Sequence, residues 1–305
     1  MDFNYHLAKF LPFQDEKACR RVRAIKREDL CKHGNPDFKI RVIEDPQEFY
    51  FEFALDIVHR IRKAAAENRP FVAIFPVGPM PQYQIAARLI NKMEISCKHV
   101  HSFNMDEYAD QDGNTAPADW PGSFQKSMME QFFMAIDEKL RPPFRQIHFP
   151  TKEALPSYAK MIEDAGGAEV CYGGVGWCGH IAFWEAHLGH EFGNDLEAFQ
   201  KAGPRCVELH PMTIMQNALH SFGGDWSWVP PKANTIGPAQ ICGAKYRSFW
   251  LDGYLGGGVS WQRFIARLAA HGPVTPLVPA SILQTLPGSY TILGGVADNL
   301  EIHMS

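Results

Sequence analysis

Cys171-Tyr-Gly-Gly-Val-Gly-Trp-Cys-Gly-His180-Ile-Ala-Phe-Trp-Glu185 is an apolar run that opens into glycines, with a histidine and a carboxylate close behind. Glycine lacks Cβ and tolerates positive φ, so such a loop turns tightly and lets backbone approach a ligand. A strand ending in this loop belongs in a sheet whose strand ends carry chemistry.

Outward from it, short β-rich runs alternate with amphipathic helical stretches. Asp45-Pro46-Gln47-Glu48 reads as an N-cap, a proline at the first helical position and a capping-box acid. The helix it opens carries Tyr50, Ala54, Ile57, Val58 and Ile61 at helical spacing. Phe71–Phe75, Val100–Phe103, Gln146–Phe149, Ala168–Tyr172, Arg205–Leu209, Tyr246–Leu251 and Tyr290–Leu293 read as strands. Helices are expected after Gly78, around Ser123–Ile136, Thr151–Asp164 and Pro211–His220, and over Val259–Ala270. The pattern predicts an α/β protein: a Rossmann-like, mainly parallel sheet with helices on both faces, three layers in all. Ligands of such sheets bind beyond the carboxyl ends of the strands. Gly78, Asp106 and His180 each follow a predicted strand, so one crevice can collect them.

Residues 1–45 look different. Lys17, Arg20, Arg21, Arg23, Lys26 and Arg27 crowd one stretch, read as a solvated helix packed on the domain or on another subunit. The expected division is an N-terminal helical extension over 1–45 and one α/β domain over 46–305. Residues 222–243, with Trp226, Trp228, Pro230 and Pro231, read as a loop able to cover the site.

A net charge of -4 gives no push toward nucleic acid or an anionic membrane. No apolar run approaches a membrane span, and the start lacks the basic-then-apolar order of a signal peptide. Seven scattered cysteines without a C-x-x-C pair argue for free thiols, and the expected setting is cytoplasmic.

Gly174-Val-Gly176-Trp-Cys-Gly179 matches G-x-G-x-x-G. It lies late in the chain, and His180 follows the third glycine where helix packing is expected, so no dinucleotide cofactor is read. His187, His190 and Glu191 are too loosely spaced to define a metal site, and none is read. Cys178 and His180 sit two apart on a loop, a poor spacing for a thiolate and its base. Leu251–Ser260 either cradles an anion at a helix start or is a plain glycine turn. Asp106 and Glu107 at a strand end suit a general base or a cap, and His180 suits proton transfer or a structural role.

Two segments together resemble the glucosamine-6-phosphate deaminase family: Phe103-Asn-Met-Asp-Glu-Tyr108, and Gly173-Gly-Val-Gly-Trp-Cys-Gly-His-Ile-Ala-Phe-Trp-Glu185 against the family's G-G-V-G-x-D-G-H-I-A-F-N-E. Val229-Pro-Pro-Lys-Ala-Asn-Thr-Ile-Gly237 is similar to a later family segment. The resemblance covers roughly residues 46–300. It implies an amino-sugar deaminase and aldose–ketose isomerase, without cofactor, that binds a small sugar or sugar phosphate and forms a homo-oligomer. It assigns Asp106 as the base between C2 and C1, His180 to ring opening and Glu185 to its support. Gly78, Glu107, Trp177, Cys178, Gly179 and Trp184 are the expected substrate-binding residues.

The departures point to a changed site. Cys178 stands where the family has aspartate, which predicts a less basic and less fixed His180. Trp177 and Trp184 replace smaller polar residues. The family's P-T-G-G-T-P turn reads Pro76-Val-Gly-Pro-Met-Pro81, its arginine falls at Ile214 and its lysine within Tyr254–Gly258, so the phosphate grip is expected to be altered. Lys232, Lys245 or the glycine turn are the expected substitutes. A sugar-binding protein without turnover is the alternative reading, and a 6-phosphogluconolactonase-like hydrolase ranks below both.

Overall fold

The structure, a computed structural model, describes residues 5–302 and residue 304. A seven-stranded parallel sheet runs in the spatial order Phe38–Ile43, Gly288–Leu293, Tyr246–Leu251, Val170–Gly173, Phe71–Phe75, Val100–Asn104, Ile147–His148. Phe71-Val-Ala-Ile-Phe75 is buried at every position, as a strand covered on both faces must be.

Helices lie on opposite faces. The Pro46–Ala66 helix buries Phe49, Phe53, Ile57 and Ile61, and the Phe53 ring stacks on Trp250 at 4.4 Å. Its start is capped as the sequence predicts, Asp45 accepting from the Glu48 amide at 2.9 Å. Tyr290, paired with Phe249 and so on the other side from Trp250, donates to Ala266 O of the Arg263–His271 helix.

The sheet takes its edge strand from Phe38–Ile43, ahead of the boundary expected at residue 45, because this segment pairs in parallel with the last strand. The basic stretch forms the Glu16–Arg23 helix, which buries Ala18, Cys19 and Val22 against the domain. Buried Arg267 ties both ends of the chain down, donating to Ile25 O, Ala297 O and Asp298 O.

A second, antiparallel sheet sits beside the first in the order Asp106–Ala109, Lys232–Thr235, Arg205–Glu208. Residues 222–243 are therefore no simple loop: they supply this sheet's central strand and the Pro238–Gly243 helix. The chain leaves the main sheet at Asn104 and enters the second at Asp106. Met105 links the two, its amide donating to Phe75 O and its carbonyl accepting from Ile236 N.

Strand order reverses between Phe71–Phe75 and Val170–Gly173: the chain first builds to one side of this pair and then to the other. The loops after these two strands flank a crevice at the switch point, where open α/β sheets bind their ligands.

Candidate active site

A cavity of about 310 Å³ fills that crevice. Pro76–Met80 forms one wall and Gly174–Gly176 another, while Asp106 and His180 face in beside Trp250, Asp252 and Trp261. Gly78, with φ of 122°, bends the first wall in a conformation open to glycine. Gly176 is required for a different reason. A Cβ there would sit 1.9 Å from His180 Nε2, so the imidazole lies directly against the backbone.

Asp106 is 6% exposed and stands at the junction of the two sheets. Burial pushes its carboxyl up to about 8, with the His180 charge pulling it down and Glu107 adding to the rise. A carboxyl of that pKa can take and return a proton near neutrality.

His180 is held from behind. Its Nδ1 lies 3.0 Å from Thr213 Oγ1, 3.4 Å from Cys178 Sγ and 3.3 Å from Glu185 Oε2. Its Nε2 makes no hydrogen bond to a described residue and is the nitrogen left to the cavity. Burial disfavours the imidazolium, but the Glu185 carboxylate outweighs it and holds His180 well above the ordinary histidine range. Glu185 is fully buried, and burial alone would raise it. The His180 charge and the Cys178 and Thr213 hydrogen bonds reverse that and keep it ionised. Its second oxygen, Oε1, accepts from the His210 amide at the start of the Pro211–Ser221 helix.

With Cys178 beside it, His180 is nonetheless held in place and raised above the ordinary histidine range, the cysteine adding to the Glu185 effect. The Thr213 hydroxyl, which no sequence signal marked, sits between the imidazole and Glu185. Burial and the neighbouring carboxylate push the Cys178 thiol up, so it remains a thiol.

The other expected binding residues separate in space. Gly78 lines the cavity. Glu107 points to the opposite side of its strand from Asp106, and its oxygens accept from Ser123 Oγ and the amides of Tyr108, Phe124 and Gln125. It caps the Phe124–Met128 helix rather than facing substrate. Gly179, with φ of 91°, faces Val278 and Ile265. Trp184 is buried behind the site with the Arg205 guanidinium 4.4 Å over its ring. Trp177 stands outside the lining and leans on Trp261, their centroids 6.2 Å apart, while its amide donates to Gln216 Oε1. Cys178 acts from behind His180.

Among the described lining residues there is no lysine or arginine. Lys232 and Lys245, expected as phosphate substitutes, do not line the cavity. Leu251–Ser260 is a plain turn: Tyr254–Gly256 and Val259–Ser260 pair as a hairpin through three glycines at positive φ, and the following helix starts only at Arg263. Where cations were expected, the cavity holds Asp252, which accepts from Tyr50 Oη at 2.8 Å, and His220. Trp261 Nε1 donates to His220 Nε2 at 2.7 Å, and burial lowers that imidazole's pKa despite the nearby Asp252 charge.

His187, His190 and Glu191 do not converge. Glu191 pairs with Arg205 at 2.8 and 2.9 Å, and His187 stacks on His210.

A switch-point crevice with a buried carboxyl and a carboxylate-backed imidazole defines an α/β protein built for proton transfer on a small molecule. Comparison with known proteins narrows the class. The chain is 31% identical to the glucosamine-6-phosphate deaminase of Caenorhabditis elegans over 213 residues, 67% of this chain and 72% of the relative. The corresponding protein of Aeromonas salmonicida is 34% identical, with 72% of this chain and 76% of that one covered. The chain belongs to the glucosamine-6-phosphate deaminase family. No family model matches it. In fold it is similar to a monomeric glucosamine-6-phosphate deaminase, with a TM-score of 0.70 at 22% identity over 85% of this chain and 98% of that one. It is also similar to the 6-phosphogluconolactonase of Trypanosoma cruzi, with a TM-score of 0.61 at 16% identity over 89% and 99%. No helix among the described residues is long and apolar enough to cross a membrane.

Proposed function

We propose that the protein is an isomerising deaminase of an amino sugar that carries no phosphate. The reading rests on one observation above others: Asp106 and His180 line a single cavity that contains no lysine or arginine among its described lining residues. A phosphate dianion there would lose its charge-assisted hydrogen bonds, each worth about 1.5–3 kcal/mol, and would meet Asp252. A neutral hydroxymethyl end meets Trp250, Trp261 and polar partners instead.

The chemistry follows from the protonation states. His180, charged near neutrality, donates its Nε2 proton to the ring oxygen as the sugar opens and the O1 hydroxyl proton leaves to solvent. Ionised Asp106 takes the C2 proton and returns it to C1, while the C2 ammonium gives up one proton and the aldehyde oxygen O1 gains one, so that C1 becomes an alcohol and C2 an iminium. Water adds to the iminium, ammonia leaves and the ketose remains. Asp106 ends as it began, and His180 is reprotonated from solvent.

A sugar-binding protein without turnover is the second reading, favoured by Cys178 in place of the family's aspartate. Lactone hydrolysis of a phosphorylated acid ranks lower, because the same cation-free cavity would have to hold its phosphate. The homo-oligomer and the cytoplasmic setting stand as proposals, and the solved monomeric relative makes sedimentation velocity the test of the first.

Ammonia release from glucosamine, with and without Asp106→Asn, tests the function. The expected result is turnover that falls about 10²–10⁴-fold in the variant while KM holds. Turnover unchanged by the variant would remove Asp106 from the mechanism, and stabilisation by sugars without ammonia would favour the binding protein.

A further inference from the structure

Four donor atoms of different chemistry meet behind the imidazole: Cys178 Sγ, His180 Nδ1, Glu185 Oε2 and Thr213 Oγ1. All six distances among them are short. Sγ lies 3.4 Å from Nδ1, 3.0 Å from Oε2 and 3.7 Å from Oγ1. Nδ1 lies 3.3 Å from Oε2 and 3.0 Å from Oγ1, and Oγ1 lies 3.0 Å from Oε2. The four atoms thus form a compact tetrahedron. A tetrahedral zinc ion, about 2.0 Å from nitrogen and oxygen and 2.3 Å from sulfur, sets its donors about 3.3–3.6 Å apart. The cluster needs to open by only a few tenths of an ångström.

We propose that this cluster binds one Zn²⁺ ion, with Cys178, His180 and Glu185 as ligands and the Thr213 hydroxyl as the fourth donor. Three features support it. A thiolate and a carboxylate balance the charge of a divalent ion, which a buried site demands. Sulfur together with imidazole favours zinc over the hard oxygen-seeking cations. The glutamate is already oriented by the His210 amide, and its carboxylate is fully buried. Entry is from the cavity, which His180 lines.

Binding releases the thiol proton and the Nδ1 proton to solvent, while the threonine hydroxyl keeps its own. With Nδ1 on the metal, Nε2 keeps its hydrogen and the ring can no longer cycle between imidazolium and imidazole. The site is therefore inhibitory: zinc switches off the proton donor of ring opening. An aspartate at position 178 would make the donor set all oxygen and nitrogen, so it is Cys178 that makes the cluster a zinc site. The inhibition rests on the deaminase reading, whereas the binding does not.

The test uses the reduced, chelator-treated full-length protein titrated with Co²⁺, whose thiolate complexes show sulfur-to-metal charge-transfer absorption. The expected result is a band that saturates at one equivalent, is abolished by Zn²⁺, persists in Cys31→Ser and Cys206→Ser and is lost in Cys178→Ser. Absence of the band, or its survival in Cys178→Ser, would overturn the proposal. A second measurement needs no variant. One equivalent of Zn²⁺ should slow alkylation of Cys178 at least tenfold and leave Cys31 and Cys206 unchanged, and equal rates at Cys178 would overturn the site. Ammonia release should fall in step with occupancy and return on chelation. Metal-independent turnover beside a positive cobalt titration would overturn the inhibition and leave the binding intact. No ammonia in either state would count against the deaminase alone.

Discussion

In the proposed mechanism, Asp106 and His180 divide acid and base work by environment. Burial keeps the carboxyl protonated up to about 8, so only its ionised fraction can take the C2 proton. The imidazole, held charged by Glu185, supplies a proton over the same range. kcat/KM for the amino sugar should therefore rise with pH through about 8, because Asp106 in the free enzyme must lose its proton to act. A profile already flat from pH 5 upward would show that Asp106 ionises normally or is not the base. Cys178, the most visible departure from the family's pattern, does not leave the histidine weakly basic: Glu185 first and Cys178 beside it hold it charged, while the Thr213 hydroxyl helps fix the ring.

Among the elements, the junction at Met105 matters most for placing the base. The chain turns from one sheet into the other there, and the alternation of the new strand sends Asp106 into the cavity and Glu107 to the Phe124–Met128 helix. Glu107→Gln should therefore cost stability, about 1–3 kcal/mol for the weakened cap and its buried donors, with KM for the sugar little changed. A large KM effect at unchanged stability would return Glu107 to the substrate site. Phe71–Phe75 and the Pro46–Ala66 helix were legible because burial on both faces, or on one stripe, writes a period into the residues. Phe38-Lys-Ile-Arg-Val-Ile43 hid beside a basic helix, although its alternation is that of an edge strand. Lys232–Thr235 was illegible behind its prolines, because a short strand in a small antiparallel sheet is defined by partners more than a hundred residues away in one case. Thr213, Asp252, His220 and Trp261 were missed for the same reason. Each is an ordinary residue of a helix or a turn until the fold sets it beside His180 or in the cavity.

Across the whole molecule, the proposal of an unphosphorylated substrate rests on the charge at the switch point. The parallel sheet brings three loops and the Pro211–Ser221 helix to one crevice, and the described residues facing it include carboxyls and imidazoles but no permanent cation. Arg267, with five donors, is spent on backbone carbonyls that fasten the chain's two ends, and Lys232 lies on the second sheet. The measurement that bears most directly on the function is kcat/KM for ammonia release from glucosamine against glucosamine 6-phosphate, on zinc-free protein. The expected result is a preference for the unphosphorylated sugar of at least tenfold, because the ester brings a dianion into a cavity with no lysine or arginine among its described lining residues. A preference of that size for the 6-phosphate would contradict it and would mean that a phosphate grip forms from residues outside this cavity lining.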